Sequence, residues 1–182
     1  MGWLDRINVK TSEKMTVHSF MEDCDFLWKP LALPCYCNVD GRYIEVEKHR
    51  VFARSDDLKP MYVVKKQFKL LSNEECFKIC DNFKIKYTES RFVSCGDILK
   101  QRKSYITMIL KKIKLADCDF MVYLTITNGF DGRNAVNCIV TLVKNDDFSV
   151  FQMFDESNPR IWTMGRVNSM ITFDELCEQI ES

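Results

Sequence analysis

Apolar and polar residues alternate most regularly along Asp119–Val143, which predicts a long β-hairpin. One face of each strand is apolar, made of Phe120, Val122, Leu124 and Ile126 and, on the partner strand, Val136, Cys138, Val140 and Leu142. The polar turn Asn128–Gly132 contains two glycines that can adopt positive φ. The other face carries Tyr123, Thr125, Thr127, Asn137 and Thr141. We expect solvent on this second face, with a binding platform as the alternative, because antiparallel sheets commonly pack one face only.

Weaker patterns predict further strands on both sides of the hairpin. They cover Cys35–Cys37, Arg42–Glu47, His49–Ser55, Met61–Lys66, Tyr105–Leu115, Phe148–Phe154 and Ile161–Met164. Turns are predicted at Asn38–Gly41, at Asp56–Pro60 and across Gly96–Lys103, where basic side chains should point outward.

Helices are indicated at three places. Met15–Phe26 has a short apolar stripe, and Ser72-Asn73-Glu74-Glu75 and Thr172-Phe173-Asp174-Glu175 each match a capping box. The elements together predict an α+β fold, an antiparallel sheet built from β-hairpins with two or three packed helices. We expect one domain over residues 1–182, in which residues 1–14 form a loosely held arm.

Composition favours a cytoplasmic protein. The chain has 182 residues, 46% of them hydrophobic, without an apolar run of membrane length or a cationic leader before an apolar segment. Its nine cysteines are odd in number, and several occupy apolar positions of predicted elements. Reduced, buried thiols are therefore expected.

Charge is unevenly distributed although the net charge is zero. Residues 84–114 contain nine Lys or Arg against two Asp or Glu, a balance of +7, whereas residues 144–182 contain three against eight, or −5. Cations interleaved with aromatic rings are typical of proteins that bind single-stranded nucleic acid. The candidate binding residues are Lys84, Lys86, Arg91, Lys100, Arg102, Lys103, Lys111, Lys112 and Lys114, with Tyr87, Phe92 and Tyr105 for stacking. The alternatives are a solvated basic face and aromatic rings that belong to the core.

Residues with catalytic or metal-binding patterns are scarce. His18 and His49 have no neighbouring nucleophile pattern, and Cys35 with Cys37 is too small a set for structural zinc. The aspartate pairs at 56–57 and 146–147 are as well explained by turn formation as by a divalent ion. The sequence thus predicts no enzymatic activity, cofactor or metal.

Two segments resemble the phage/plasmid-like protein family, an uncharacterised domain family of bacteriophage and plasmid genomes. Val51–Glu75 is similar to a block with an Arg-Ser-Asp step, a strand and an acidic helix start, and Tyr123–Val136 is similar to that family's Asp-Gly hairpin. With Trp28 and the Asp40-Gly41 turn, the resemblance covers most of Trp28–Val143. Family members are usually longer and continue into a segment ending in Asn-Thr-Leu, which this chain lacks. The resemblance implies a phage or prophage origin, and hence the host cytoplasm, without an established activity.

Two functions are therefore expected. The first is a small phage-type accessory protein that binds nucleic acid, in particular single-stranded DNA, in replication or recombination. The alternative is a protein-interaction module, such as an inhibitor of a host enzyme or defence system, or a homo-oligomeric assembly component. Neither requires a membrane.

Overall fold

A computed structural model of the chain describes residues 15–98, 103–115, 117–130, 136–144 and 161–162. The helices are α1 (Val17–Asp23), α2 (Asn73–Phe77) and α3 (Ile79–Lys86). The strands are β1 (Pro30–Val39), β2 (Arg42–Arg54), β3 (Pro60–Lys65), β4 (Arg91–Ile98), β5 (Lys103–Leu115), β6 (Cys118–Gly129), β7 (Asn137–Lys144) and β8 (Ile161–Trp162). None of these helices is long and apolar enough to cross a membrane.

The first three strands form one antiparallel sheet in the order β1-β2-β3. The predicted turn joins β1 to β2: Asp40 and Gly41 both have positive φ, and the Gly41 amide donates to the Asn38 side chain at 2.9 Å. β3 pairs with β2 only from His49 to Ala53, so the outer part of the β1–β2 hairpin extends past the third strand. We call Tyr36–Glu45 the β1–β2 arm.

The remaining strands form a second antiparallel sheet in the order β4-β5-β6-β7-β8. The predicted hairpin is its centre, with Val122 opposite Leu142, Leu124 opposite Val140 and Ile126 opposite Cys138. The apolar matching of these two strands is therefore confirmed, since the alternation sets which side chains share a face.

One hydrophobic core joins both sheets and the three helices. It includes Phe52 of β2, Phe83 of α3, Phe92 of β4, Ile106 of β5 and Leu124 of β6, all completely or almost completely buried. The α+β class with antiparallel hairpins and packed helices is therefore confirmed.

The second face of the hairpin differs from the prediction. Tyr123, Thr125 and Thr127 are buried, so the expectation of a solvent-exposed face was wrong. Thr125 shares a hydrogen bond with Thr107 of the neighbouring strand, at 3.0 Å between the two hydroxyl oxygens. This bond satisfies two buried hydroxyls, whereas the Thr127 hydroxyl is buried without a hydrogen-bond partner among the described residues. Polar alternation alone therefore does not identify a solvent-exposed face.

The basic region also contains a strand that the sequence did not indicate. Gly96, Asp97 and Ile98 were predicted within a turn but lie in β4, where Gly96 pairs with Tyr105. A Cβ at Gly96 would stand 3.5 Å from the Tyr105 ring, which is an ordinary van der Waals distance. The N-terminal arm, the strand at Phe148–Phe154 and the capping box at Thr172 were also predicted, but they lie outside the described residues.

The capping box at Ser72 is confirmed at the start of α2. The Glu75 amide donates to the Ser72 hydroxyl at 3.2 Å, and the Ser72 amide donates to the Glu75 carboxylate at 3.0 Å. We expect Ser72→Ala to lower the free energy of unfolding by about 1 kcal/mol, because one amide at the helix start loses its acceptor. Urea denaturation measures this loss, and Ser72→Asp, which keeps an acceptor, should restore most of it.

Candidate nucleic-acid interface

Two predicted lysines, Lys86 and Lys111, lie over the Tyr87 ring at the end of α3, and a third, Lys84, lies over Phe92. Tyr87 is the residue that ends this helix, and its ring stacks on Phe83 with centroids 6.2 Å apart. Lys86 Nζ lies 5.7 Å and Lys111 Nζ lies 5.4 Å from the centroid of the Tyr87 ring. Lys84 Nζ lies 5.0 Å from the centroid of Phe92. We call Lys84, Lys86, Tyr87 and Lys111 the Tyr87 cluster.

A bulge in β5 brings Lys111 into this cluster. The pairing between β5 and β6 is regular up to Ile109 opposite Tyr123, and then shifts so that Lys111 lies opposite Val122. Val122 belongs to the core face of the sheet, the side on which the helices pack. The extra residue at the bulge therefore places the Lys111 side chain on the same side as α3.

The two helical lysines also have a structural explanation. Lys84 and Lys86 occupy the last turn of α3, where the helix dipole leaves partial negative charge that lysine stabilises. Each lysine ammonium lies near an aromatic face, as in a cation–π contact. The cluster thus groups three lysine side chains and one half-buried aromatic ring, the residue types that contact a phosphate and an adjacent base.

The other basic residues of the region do not join this cluster. Arg91 is opposite Ile109, and Lys112 and Lys114 are opposite Met121 and Asp119, which places all three on the second face of the sheet. Lys112 Nζ makes an ion pair with Asp119 at 2.6 Å, so its charge is already neutralised. The predicted basic region is therefore divided between two faces, because neighbouring residues of a strand point to opposite sides.

Three predicted binding residues lie in the interior. Phe92 is buried and stacks on Phe20, with centroids 4.9 Å apart and planes inclined by 16°. Tyr105 and Lys103 are also buried. The prediction that Phe92 and Tyr105 stack on bases is corrected here, since neither ring offers a face to a ligand. Lys100 and Arg102 lie outside the described residues.

An ionic cluster between the two sheets was not predicted. Arg54 of β2 donates from Nη1 to Asp97 Oδ2 of β4 at 2.8 Å, and from Nε to Asp56 at 2.9 Å. Ser104 Oγ donates to the other Asp97 oxygen at 2.8 Å, and the Arg54 guanidinium carbon lies 4.7 Å from the centroid of the Trp28 ring. Burial raises the pKa of Asp97, while the bonds from Ser104 and Arg54 oppose this effect. Both Asp97 carboxylate oxygens accept hydrogen bonds, and the bond from Arg54 connects the two sheets.

The buried cysteines and the aspartate pair at 56–57 have structural roles. Cys76, Cys80 and Cys138 lie in the core, and burial raises the pKa of Cys138 to about 12, so this thiol stays protonated near neutral pH. The Asp56 carboxylate is bound by Arg54, and Asp57 accepts from the Lys59 amide at 2.9 Å. Within the described ranges, no three His, Cys, Asp or Glu side chains are grouped as metal ligands would be.

The two histidines have different environments. His18 Nδ1 lies 2.9 Å from a carboxylate oxygen of Glu74 at the surface. His49 Nδ1 is buried without a hydrogen-bond partner. Neither arrangement joins a histidine to a nucleophile.

Comparison of the chain with models of known protein families finds no match. Comparisons with curated proteins and with solved structures also find no significant similarity. The resemblance to the phage/plasmid-like family therefore stays a prediction.

Proposed function

We propose that this protein binds nucleic acid, in particular single-stranded DNA, through the Tyr87 cluster. The observation that carries the proposal is the convergence of lysines from two separate elements, α3 and β5, around one half-buried tyrosine ring. Lysines that contact phosphates next to an aromatic ring that stacks on a base are the general parts of a single-strand binder. The interface is smaller than the sequence predicted, since it uses one face of the sheet only.

A role as a small accessory protein in phage replication or recombination extends this proposal. It rests on the sequence resemblance of Val51–Glu75 and Tyr123–Val136 to the phage/plasmid-like family. The host cytoplasm would then be the place of action.

Neutralising the cluster should weaken binding in a salt-dependent way. We expect Lys84→Gln/Lys86→Gln/Lys111→Gln to lower affinity for a labelled single-stranded oligonucleotide about tenfold or more at low salt, because three phosphate contacts are lost. The negative slope of log K against log salt should become shallower by about 2, because each phosphate contact with a single strand contributes roughly 0.7 to its steepness. Fluorescence anisotropy across a salt series measures both quantities.

The chain supplies a matched control on the same strand. Lys112→Gln removes a neighbouring charge that is paired with Asp119 on the opposite face, and it should leave affinity and slope nearly unchanged. Tyr87→Leu should lower affinity at every salt concentration without changing the slope, since stacking releases no counterions. Absence of binding by the natural protein at low salt, or equal effects of the triple variant and Lys112→Gln, would contradict the proposal.

The β1–β2 arm favours a second function, that of a protein-interaction module. It exposes large apolar side chains, among them Tyr36, Tyr43 and Ile44, which is the usual sign of an interaction site. An inhibitor of a host enzyme or defence system would use such a surface. Capture of one defined host protein by the natural chain, but not by a Tyr36→Ser/Tyr43→Ser variant, would support this function over DNA binding.

A further inference from the structure

The β1–β2 arm projects from its sheet as a two-stranded ribbon. Tyr36 lies opposite Glu45, Asn38 opposite Tyr43, Cys37 opposite Ile44 and Val39 opposite Arg42, while β3 pairs with β2 no further than His49. The register between β1 and β2 is irregular between Pro34 and Tyr36, where the arm begins. The arm therefore has its own pairing and no third strand over its length among the described residues.

Both faces of this ribbon expose apolar side chains. Register partners share a face, so Tyr36 and Tyr43 lie on one side, and Cys37, Val39 and Ile44 lie on the other. The exposed fractions are 55% for Tyr36, 76% for Tyr43, 49% for Val39 and 51% for Ile44. A two-stranded ribbon with both faces in water is marginally stable by itself, so pairing with further strands would stabilise it.

The outer edge of β1 is protected along only half of its length. Pro30 and Pro34 lack an amide hydrogen, which discourages another strand from pairing with the inner half. From Cys35 to Val39 the strand has neither proline nor a charged residue. This outer half is therefore open to strand addition, whereas the inner half is blocked.

We propose that the outer half of β1 pairs with the same segment of a second copy of this chain, in antiparallel orientation about a two-fold axis near Cys37. In such a dimer each residue of Cys35–Val39 meets residues of the same segment. Because the segment carries no charge, self-pairing brings no like charges together. The two arms would form a four-stranded ribbon in the order β2-β1-β1-β2.

The seam fits a dimer of low affinity, because it lies beside β1 and not beside β2. Tyr36 and Val39 lie on β1, whereas Tyr43 and Ile44 lie on β2, one strand away from the seam. A tyrosine side chain offers about 200 Å² and about half of each β1 side chain is exposed, so these two contribute at most roughly 200 Å² from each copy. This is about a quarter of the ~800 Å² that each partner contributes to a standard interface, and the paired backbone edges supply most of the contact. We therefore expect association that depends on protein concentration.

A valine pair provides the test. Sedimentation velocity of the full chain at concentrations up to about 100 µM should show a monomer–dimer equilibrium. In Val39→Lys the dissociation constant of the dimer should be at least tenfold higher, because a lysine on an edge strand discourages pairing. Val63→Lys is the matched control: Val63 lies on β3, is exposed to a similar extent at 56%, and is outside the arm. This control should leave the equilibrium unchanged.

Cross-linking tests the position of the two-fold axis. Among the cysteines that the structure describes, Cys37 is the exposed one. A short bismaleimide should join two copies of the natural chain mainly through Cys37, so Cys37→Ser should strongly reduce the linked dimer while the variant still sediments as a dimer. A chain that stays monomeric throughout the concentration series overturns the proposal and leaves the arm to a different partner. Equal weakening of the dimer by Val39→Lys and Val63→Lys, or linkage that is undiminished in Cys37→Ser, would overturn it as well.

Discussion

Phe92→Ala is expected to lower the free energy of unfolding by about 4 kcal/mol, the range for removing a fully buried phenylalanine. The ring is buried against Phe20, with centroids 4.9 Å apart, and belongs to the core that joins the two sheets. Its removal would lose apolar burial and leave a cavity that the surrounding side chains only partly fill. Urea denaturation at neutral pH measures the change.

The stability of Phe92→Ala distinguishes a core role of the Phe92 ring from a role in binding at the surface. A base-stacking ring on the surface would change stability by less than about 0.5 kcal/mol. Ile85→Ala is a suitable control because Ile85 is exposed on α3, close to the same region, and its truncation should stay within that limit. Unfolding of the two variants at the same urea concentration would contradict the assignment of Phe92 to the core.

Arg54→Met is expected to lower the free energy of unfolding at neutral pH by about 3 kcal/mol. Methionine keeps part of the apolar stem that packs near Trp28, but it removes the cation that pairs with Asp97 across the two sheets. Among the described residues, Ser104 would be the hydrogen-bond partner left to the Asp97 carboxylate, whose side chain is 16% exposed. A partly buried charge without its counter-ion is destabilising, so the loss should exceed that of a fully exposed pair.

The same variant should show a distinct pH dependence. Burial already raises the pKa of Asp97, and Arg54 is one of the groups that oppose this rise. Without Arg54 the pKa rises further above its unfolded value, so the folded state binds more protons than the unfolded chain. The stability of Arg54→Met should therefore increase relative to the natural protein as the pH falls through the folded-state pKa of Asp97.

A double variant isolates the role of Asp97. Arg54→Met/Asp97→Asn has no carboxylate at this position, so it should recover part of the loss at neutral pH and lack the pH-dependent component. Comparison within the Arg54→Met background cancels effects at Asp56, which has lost the same partner in both proteins. Identical pH profiles of the single and double variants would show that Asp97 does not carry the effect.

Local patterns were sufficient to predict most elements of the fold. The alternation at Phe120–Ile126 gave the face and partners of the central hairpin, since the side-chain period of a strand is two residues. Ser72 with Glu75 marked the start of α2, because this spacing closes two hydrogen bonds within one turn. Asp40-Gly41 marked a hairpin turn because these residue types tolerate positive φ.

The candidate site depended on information that one sequence does not contain. Lys111 and Lys112 are neighbours with the same side chain, yet one lies beside Tyr87 and the other pairs with Asp119 on the opposite face. Neighbours on a strand point to opposite faces, and the bulge after Ile109, which has no recognisable residue signature, decides which of the two lies on the side of α3. Phe92 and Tyr105 look like stacking residues in the sequence, but the packing of helices and sheets places both rings in the interior.

The sequence by itself determined most of the strands, turns and helix starts of this chain, with β4 as the exception, because those choices depend on residues within a few positions of one another. Only the tertiary structure decided which face of the second sheet meets α3, that Arg54 reaches Asp97, and that the β1–β2 arm extends past its neighbouring strand. These arrangements join residues far apart in the chain, such as positions 54 and 97. They are stabilised by the packing of both sheets and the helices into one core. A surface that binds a partner is what remains exposed after that packing, so it cannot be read from local spacing.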